Sequence, residues 1–327
     1  MKKNNPKRDK VIYHRIGAGV CTLAICASLS TVHTRGASPL SVQGSSPSPT
    51  TSISEVAGVT LDGSKIHYNL PGIPSRYLWK YGSTPIHLNG KKISPEAITV
   101  NGITYLPLKA FCEQIGDTTY NYNPTSKTAT VKMKGLDIQI TDGGYVMYAN
   151  GRVLFSFSPA ILMSSEKMYV TAEALCRALG LKYTVGTDKI TISGKLTPLK
   201  VASSYYREDE VYWLSKIINA EAKGESLLGQ IAVGDVILNR VKSSLYPNTI
   251  YSVIYDRKYG VQFSPILDGR IHEEPSYTAI LAAKICLEGT SLTDNAMYFL
   301  NPVTAQSNWI VKNRQYAYTI GNHDFYI

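Results

Sequence analysis

The stretch EDEVYWLSKIINAEAKGESLLGQIAVGDVILNRVKS, residues 208–243, decides how the C-terminal part of this chain folds. Val211, Leu214, Ile217 and Ile218 are spaced 3, 3 and 1, as one helical face requires. Glu208, Asp209 and Glu210 fall in the first turn, where the helix dipole favours negative charge. Gly224 ends or kinks this helix. A second helix follows, with Leu228, Ile231, Ala232, Val236 and Ile237 facing inward. Downstream, YPNTIYSVIYD predicts a third, short helix capped by Asn248 or Thr249. PSYTAILAAKICLEG predicts a fourth, starting at Pro275 and closed by Gly289. NAMYFLNP and YAYTIGNHDFYI alternate like strands. The expectation is a helical bundle carrying a small β lobe.

Upstream lies an internal repeat. SPEAITVNGITYLPLKAFCEQIG (94–116) and SPAILMSSEKMYVTAEALCRALG (158–180) align without a gap, pairing Tyr105 with Tyr169, Cys112 with Cys176 and Gly116 with Gly180. Each unit reads as a short strand and then a helix closed by glycine. The strand-like runs TATVKM and KITISG come next. Asn89-Gly90, Asn101-Gly102 and Asn150-Gly151 are hairpin turn signals. Cys112 and Cys176 are the best-placed pair for a disulfide, with buried thiols the preferred alternative. No C-x-x-C is present, which argues against a zinc ribbon or redox motif.

The N-terminus reads as an export leader. Six basic residues (Lys2, Lys3, Lys7, Arg8, Lys10, Arg15) precede the apolar run IGAGVCTLAICASLSTV. That run is short for a spanning helix, which needs roughly 20 residues. Cleavage near Ala37 and an uncleaved anchor are both compatible with it. Residues 1–37 hold seven basic residues against Asp9, so they carry +6 of the net charge of +10 and leave +4 to the rest. A mildly basic exported protein suits an anionic wall polymer. Residues 38–56 are rich in Ser, Pro and Thr and read as a tether. The 23 tyrosines beside 6 phenylalanines suit half-exposed strands, or flat surfaces for sugars. The predicted divisions are 1–37 leader or anchor, 38–56 linker, 57–83 transition segment, 84–195 tandem repeats, 196–207 linker and 208–327 helical unit.

Glu221 sits at the end of the first helix, among small or neutral neighbours and beside an apolar face. It reads either as a solvated surface acid or as a general acid against an apolar wall. The second role needs a pKa near 6 rather than about 4.3, corresponding to about 2.3 kcal/mol of disfavoured ionisation. The negative end of the helix and a nearby Glu225 would both push it upward. Asp268 is a weaker candidate for a second carboxylate. Cys286 with His272 would make a thiol pair, but Cys286 lies within an apolar pattern that predicts burial. H-E-x-x-H, G-x-S-x-G and phosphate-loop motifs are absent. We expect no cofactor, no metal ligands and no nucleic-acid partner.

Two resemblances add to this reading. The repeats resemble the domain named after the N-terminal part of copper amine oxidases. Copper is not expected, because no histidine lies between His87 and His272. The resemblance leaves a spacer or a wall- or protein-binding role. Residues 221–241 (Glu221-Ala222-Lys223-Gly224-Glu225, then Gly229-Gln230-Ile231-Ala232-Val233, then Leu238-Asn239-Arg240-Val241) resemble SleB-type cell wall hydrolases. The likeness continues through VQFSPILDGRI, MYFLNPVTAQSNWI and IGNHDFYI. It implies an α+β fold class, with a C-terminal lysozyme/transglycosylase-like helical domain carrying a small β lobe behind a small α+β tandem-repeat domain. It also implies cleavage of peptidoglycan glycan strands with Glu221 as the catalytic acid. Lys223 stands where the family has arginine and loses the bidentate fork.

The glutamates at i and i+4 would point the same way on one helix. That favours a single acid/base and a lytic transglycosylase closing 1,6-anhydro ends. A muramidase using water and a non-catalytic wall binder are the alternatives. For substrate binding the expected residues are Glu225, orienting sugar hydroxyls or raising the Glu221 pKa, Gln262 and Phe263 as cleft wall, Tyr298, Asn301 and Trp309 as stacking faces and an amide, and His323 near the end. The expected place is secreted or wall-associated, the spore cortex included, with membrane contact only through an uncleaved leader.

Overall fold

A computed structural model describes residues 59–62 and 65–68, then 81–163, 167–258, 260–293, 295–305 and 307–327. The leader, the tether and much of the 57–83 segment lie outside the described residues. Among the described residues no helix is long and apolar enough to cross a membrane.

β1 (Val59–Asp62) and β2 (Lys65–Tyr68) form a two-stranded antiparallel ribbon. Next come β3 (Tyr81–Leu88), β4 (Lys91–Val100), β5 (Ile103–Pro107) and the helix α1 (Leu108–Glu113). β6 (Thr118–Asn123), β7 (Thr128–Met133), β8 (Leu136–Thr141), β9 (Val146–Ala149) and β10 (Arg152–Phe155) make an antiparallel sheet in the order β10-β9-β8-β7-β6. The second repeat supplies β11 (Ile161–Leu162), β12 (Met168–Thr171), α2 (Ala172–Leu179), β13 (Lys182–Val185) and β14 (Ile190–Ser193). The seven-stranded sheet runs β11-β12-β5-β4-β3-β14-β13.

All three Asn-Gly pairs form the tight hairpins expected of them. Both residues of each are left-handed, with φ of 48° and 83°, 51° and 81°, and 52° and 74°. The aligned strands of the two repeats are antiparallel neighbours, with Leu106 opposite Val170. α2 closes at Gly180 with φ 70°, whereas α1 ends at Gln114, two residues before Gly116. The runs after the helices part company. β7 joins the five-stranded sheet, while β14 pairs in parallel with β3. Cys112 and Cys176 are free thiols buried in this core.

Residues 196–207 are packed rather than loose. Thr197 N–H donates to the Leu179 carbonyl at 2.9 Å, and a short helix α3 (Ala202–Tyr205) follows. The helical unit then comprises α4 (Glu208–Ala222), α5 (Leu227–Lys242), α6 (Ile250–Ile254), α7 (Pro265–Asp268), a 3-10 turn (Arg270–His272), α8 (Tyr277–Leu287), β15 (Tyr298–Leu300), α9 (Trp309–Asn313), β16 (Tyr316–Ile320) and β17 (His323–Tyr326). The small lobe is an antiparallel sheet in the order β15-β17-β16. Thr249 caps α6, and Ser276 caps α8, so that helix starts two residues beyond Pro275. Each such cap stabilises by about 1 kcal/mol. α5 is buried on nearly every side because α4 and α8 cover it.

The β9–β10 hairpin belongs to two cores at once. Met147, Ala149 and Leu154 lie in the repeat core. Val146 and Val153 lie in the core of the helical unit, with Tyr148 and Phe155 packed against it. This follows from strand alternation when both faces are covered. A buried ionic cluster joins the same surfaces. Glu288, just past α8, accepts two hydrogen bonds from Arg152 (2.9 and 2.6 Å), one from Arg177 (2.6 Å) and one from the Tyr206 hydroxyl (2.5 Å).

Candidate active site

α4 ends at Ala222, and α5 begins at Leu227 behind its cap, Ser226. The two glutamates are therefore not on one helix. Glu221 closes the first helix, and Glu225 lies in the turn between them. Glu221 is only partly exposed. Burial pushes its carboxyl up to about 7, with the nearby charges of Arg270 and Arg240 opposing the shift and that of Asp268 adding to it. The carboxyl is thus half protonated at neutral pH, the state a general acid needs.

Glu225 faces away to the β16–β17 turn. It accepts the Asn322 backbone N–H and side-chain amide, both at 3.0 Å. His323 Nδ1 lies 3.7 Å away, and both side chains are 9% exposed. Gly321 makes room for this contact, since a Cβ there would sit 2.2 Å from the carboxylate. The expectation that Glu225 raises the Glu221 pKa is corrected: the largest cause is burial, and the added carboxylate charge is that of Asp268. Asp268 is exposed and paired with Arg270 at 2.9 Å. His323 is buried, and burial holds its imidazole below the usual range.

The remaining expected residues divide. Phe263 is 3% exposed and belongs to the core, not to an open cleft wall, because the Arg240 guanidinium covers its ring at 5.1 Å. Gln262 is partly exposed, and its amide donates to the Gly260 carbonyl at 3.1 Å. Tyr298 and Trp309 come together, with ring centroids 6.5 Å apart. Asn301 opens a turn, its side chain accepting the Val303 N–H at 2.9 Å. Lys223 reaches Glu273 at 3.5 Å, a solvent-exposed pair of little energetic weight. Cys286 donates to the Ile231 carbonyl at 3.4 Å, and burial, with the Asp235 charge beside it, holds its thiol well above the ordinary range.

Three basic residues on α4, α5 and the 3-10 turn had no role assigned from the sequence. Arg240 is 5% exposed. Its Nε donates to the Met297 carbonyl at 2.8 Å, and its guanidinium lies 5.1, 5.1 and 5.5 Å from the Tyr246, Phe263 and Tyr298 rings. Arg270 donates to the Ala220 carbonyl at 2.7 Å, at the end of α4. Lys216, buried mid-helix, donates to the His272 and Glu273 carbonyls at 3.1 and 2.8 Å. Lys216, Asn219 and Arg270 together tie residues 264–276 against the helix that bears Glu221. A lysine inside an apolar run was the one sequence sign of this.

The copper amine oxidase N-terminal domain family matches residues 87–193, and the cell wall hydrolase family matches residues 224–326, beginning three residues past Glu221. A spore cortex-lytic enzyme of Bacillus cereus is 38% identical over 120 residues, covering 37% of this chain and 45% of that protein. Those of Oceanobacillus iheyensis and Bacillus subtilis are 36% identical over 129 residues and 35% over 120, covering 45% and 38% of their lengths. The chain thus spans less than half the length of the curated relatives it matches. Among solved structures, the catalytic domain of the germination-specific lytic transglycosylase SleB from Bacillus anthracis is 38% identical. The match covers 37% of this chain and 97% of that one, with a TM-score of 0.34. Residues 224–326 of this chain are therefore similar to the cell wall hydrolase family and to part of the spore cortex-lytic enzymes, and residues 87–193 are similar to the copper amine oxidase N-terminal domain family.

Proposed function

We propose that this protein cleaves the glycan strands of peptidoglycan as a lytic transglycosylase, with Glu221 as its single acid/base. The observation that carries this reading is a partly buried carboxyl with a pKa of about 7 and, among the described residues, no second carboxylate whose charge acts on it other than that of Asp268. Glu225 is committed to Asn322, and Asp268 to Arg270. Two-carboxylate hydrolysis needs acids on opposite sides of the scissile bond, roughly 5 to 9.5 Å apart.

In the proposed reaction Glu221 gives its proton to the bridging oxygen as the bond from C1 of muramic acid to that oxygen breaks. The resulting carboxylate then takes the proton of the C6 hydroxyl of the same sugar, and O6 bonds to C1. The nucleophile is tethered, so no protein group is needed to hold it. Arg240 and Arg270 favour the ionised state through which Glu221 passes. The similarity to spore cortex-lytic enzymes supports this chemistry. An exported chain acting on wall or cortex, divided as the sequence suggests, fits the same reading.

Glu221→Gln should abolish release of muropeptides from purified peptidoglycan while the far-ultraviolet circular dichroism stays that of the parent. Parental release by the variant would refute the assignment. Mass spectrometry of the products should find anhydro ends, one water lighter than reducing ends. Reducing ends alone would replace transglycosylation with hydrolysis by water.

A further inference from the structure

Arg240, whose charge acts on the acid, and Arg314 are stacked around one aromatic ring, neither of them in an ion pair among the described residues. The Arg314 guanidinium lies 4.6 Å from the Tyr298 ring centroid and 4.7 Å from that of Trp309. Arg240 lies 5.5 Å from the same Tyr298 ring, and the Tyr246 hydroxyl donates to that of Tyr298 at 3.1 Å. Among the described residues no carboxylate comes within ion-pair distance of either guanidinium. Each also keeps a buried N–H with no acceptor, Nη1 on Arg240 and Nε on Arg314. Cation–π contact orients a guanidinium, contributing about 0.5–2 kcal/mol, but it does not neutralise the charge. The charges of Asp256 and Glu221 act on Arg240 only from beyond ion-pair distance, and two cations without a contacting carboxylate at a half-covered surface create a field that attracts an anion. Trp309, 49% exposed, leaves an aromatic face open at the outer end of the stack.

We propose that the Arg240–Tyr298–Arg314–Trp309 stack is an anion-reading subsite, in which Arg314, backed by the charge of Arg240, binds a carboxylate on the lactyl-peptide arm of a muramyl residue. This rests on the glycan-strand reading above. The sugar backbone of the polymer is neutral, and the acyl arms carry its anions. A cation fixed on the ring it shares with Arg240, whose charge reaches Glu221, therefore distinguishes a muramyl from a glucosaminyl residue and sets which glycosidic oxygen meets the acid. The rings supply stacking surface, and the guanidinium supplies the planar fork that suits a carboxylate.

The test uses the full chain carrying Glu221→Gln, so that ligand is not turned over. Calorimetric titration compares a tetrasaccharide muropeptide bearing free peptide carboxylates with the same compound after its carboxylates are converted to amides. The acidic form should bind roughly tenfold tighter or more, as a charge-assisted contact implies. The preference should shrink as salt is raised. Adding Arg314→Gln should weaken the acidic ligand to the level of the amide and leave the amide unchanged. Arg314→Lys should keep part of the preference. Equal affinity for the two ligands, or equal weakening of both by Arg314→Gln, would overturn the subsite alone, and the first comparison stands even if the arginine variants fail to fold. Binding of neither ligand would overturn the glycan reading and this subsite with it. Persistent cleavage by Glu221→Gln would instead refute the role of the acid and leave the ligand preference standing as evidence for the subsite.

Discussion

Below pH 7 the Glu221 carboxyl keeps its proton because burial at the end of α4 penalises the ionised form. Its pKa of about 7 lies above the 4.5 ordinary for glutamate. In the proposed reaction only the protonated acid starts the cleavage, so kcat/KM should fall about tenfold per pH unit above 7. A rate profile flat from pH 6 to 9 would contradict this. The same shift has a stability consequence of defined sign. A raised folded-state pKa leaves stability intact below about 4.5 and removes it as pH rises through about 7. At roughly 1.4 kcal/mol per unit, the loss is at most about 3 kcal/mol. Glu221→Gln removes that loss. Urea titrations should find the variant gaining up to about 3 kcal/mol on the parent between pH 4.5 and pH 8. Asp235, buried and also pushed up to about 7, acts in the same direction. It is present in both proteins and cancels in the comparison.

Helix proximity sets the frame for that residue. Gly234 on α5 lies where α4 and α8 both press in. A Cβ there would be 2.7 Å from Cys286 Sγ and 2.8 Å from Ile218 Cδ1. Alanine would gain about 1 kcal/mol of helix propensity, but overpacking a close-packed core costs about 1–3 kcal/mol. Because the two neighbours come from different helices, relief on one side tightens the other. Gly234→Ala should therefore lose net stability, of order 1 kcal/mol, in a urea titration. A stabilised variant would mean the three helices part more freely than their packing indicates. Asn239, one turn further on, donates to the Thr293 and Ala296 carbonyls at 2.8 and 3.1 Å and so aligns the loop that enters β15. The small sheet and the bundle are joined through that bond.

Across the whole molecule the two family segments are held together by the β9–β10 hairpin and Glu288. The Glu288 side chain is 0% exposed and answers both Arg152 and Arg177. Removing its charge leaves Arg152, itself buried, without compensation. Breaking a buried pair of this kind costs about 3–5 kcal/mol. Glu288→Gln should lower the folding free energy by that order in a urea titration followed by tyrosine fluorescence. A change below about 1 kcal/mol would show that apolar packing of Val146 and Val153 suffices to join the segments.

Helices α4, α5, α6 and α8, the three Asn-Gly hairpins, the tandem repeat and the place of Glu221 at the end of α4 were all legible in the chain, because each rests on local periodicity, turn chemistry or a short motif. The runs VMYA and RVLF, residues 146–149 and 152–155, held a further sign that went unused: strands this continuously apolar are covered on both faces. What lay beyond local reading depends on residues distant in sequence. The turn at 321–323 captured Glu225, Phe263 sank beneath Arg240, and a glutamate after α8 joined two arginines from the repeats. Sequence spacing determines which residues share a helix face or a strand face. Desolvation and ion pairing depend on what the folded chain brings alongside, and those decided which carboxylate keeps its proton near neutrality.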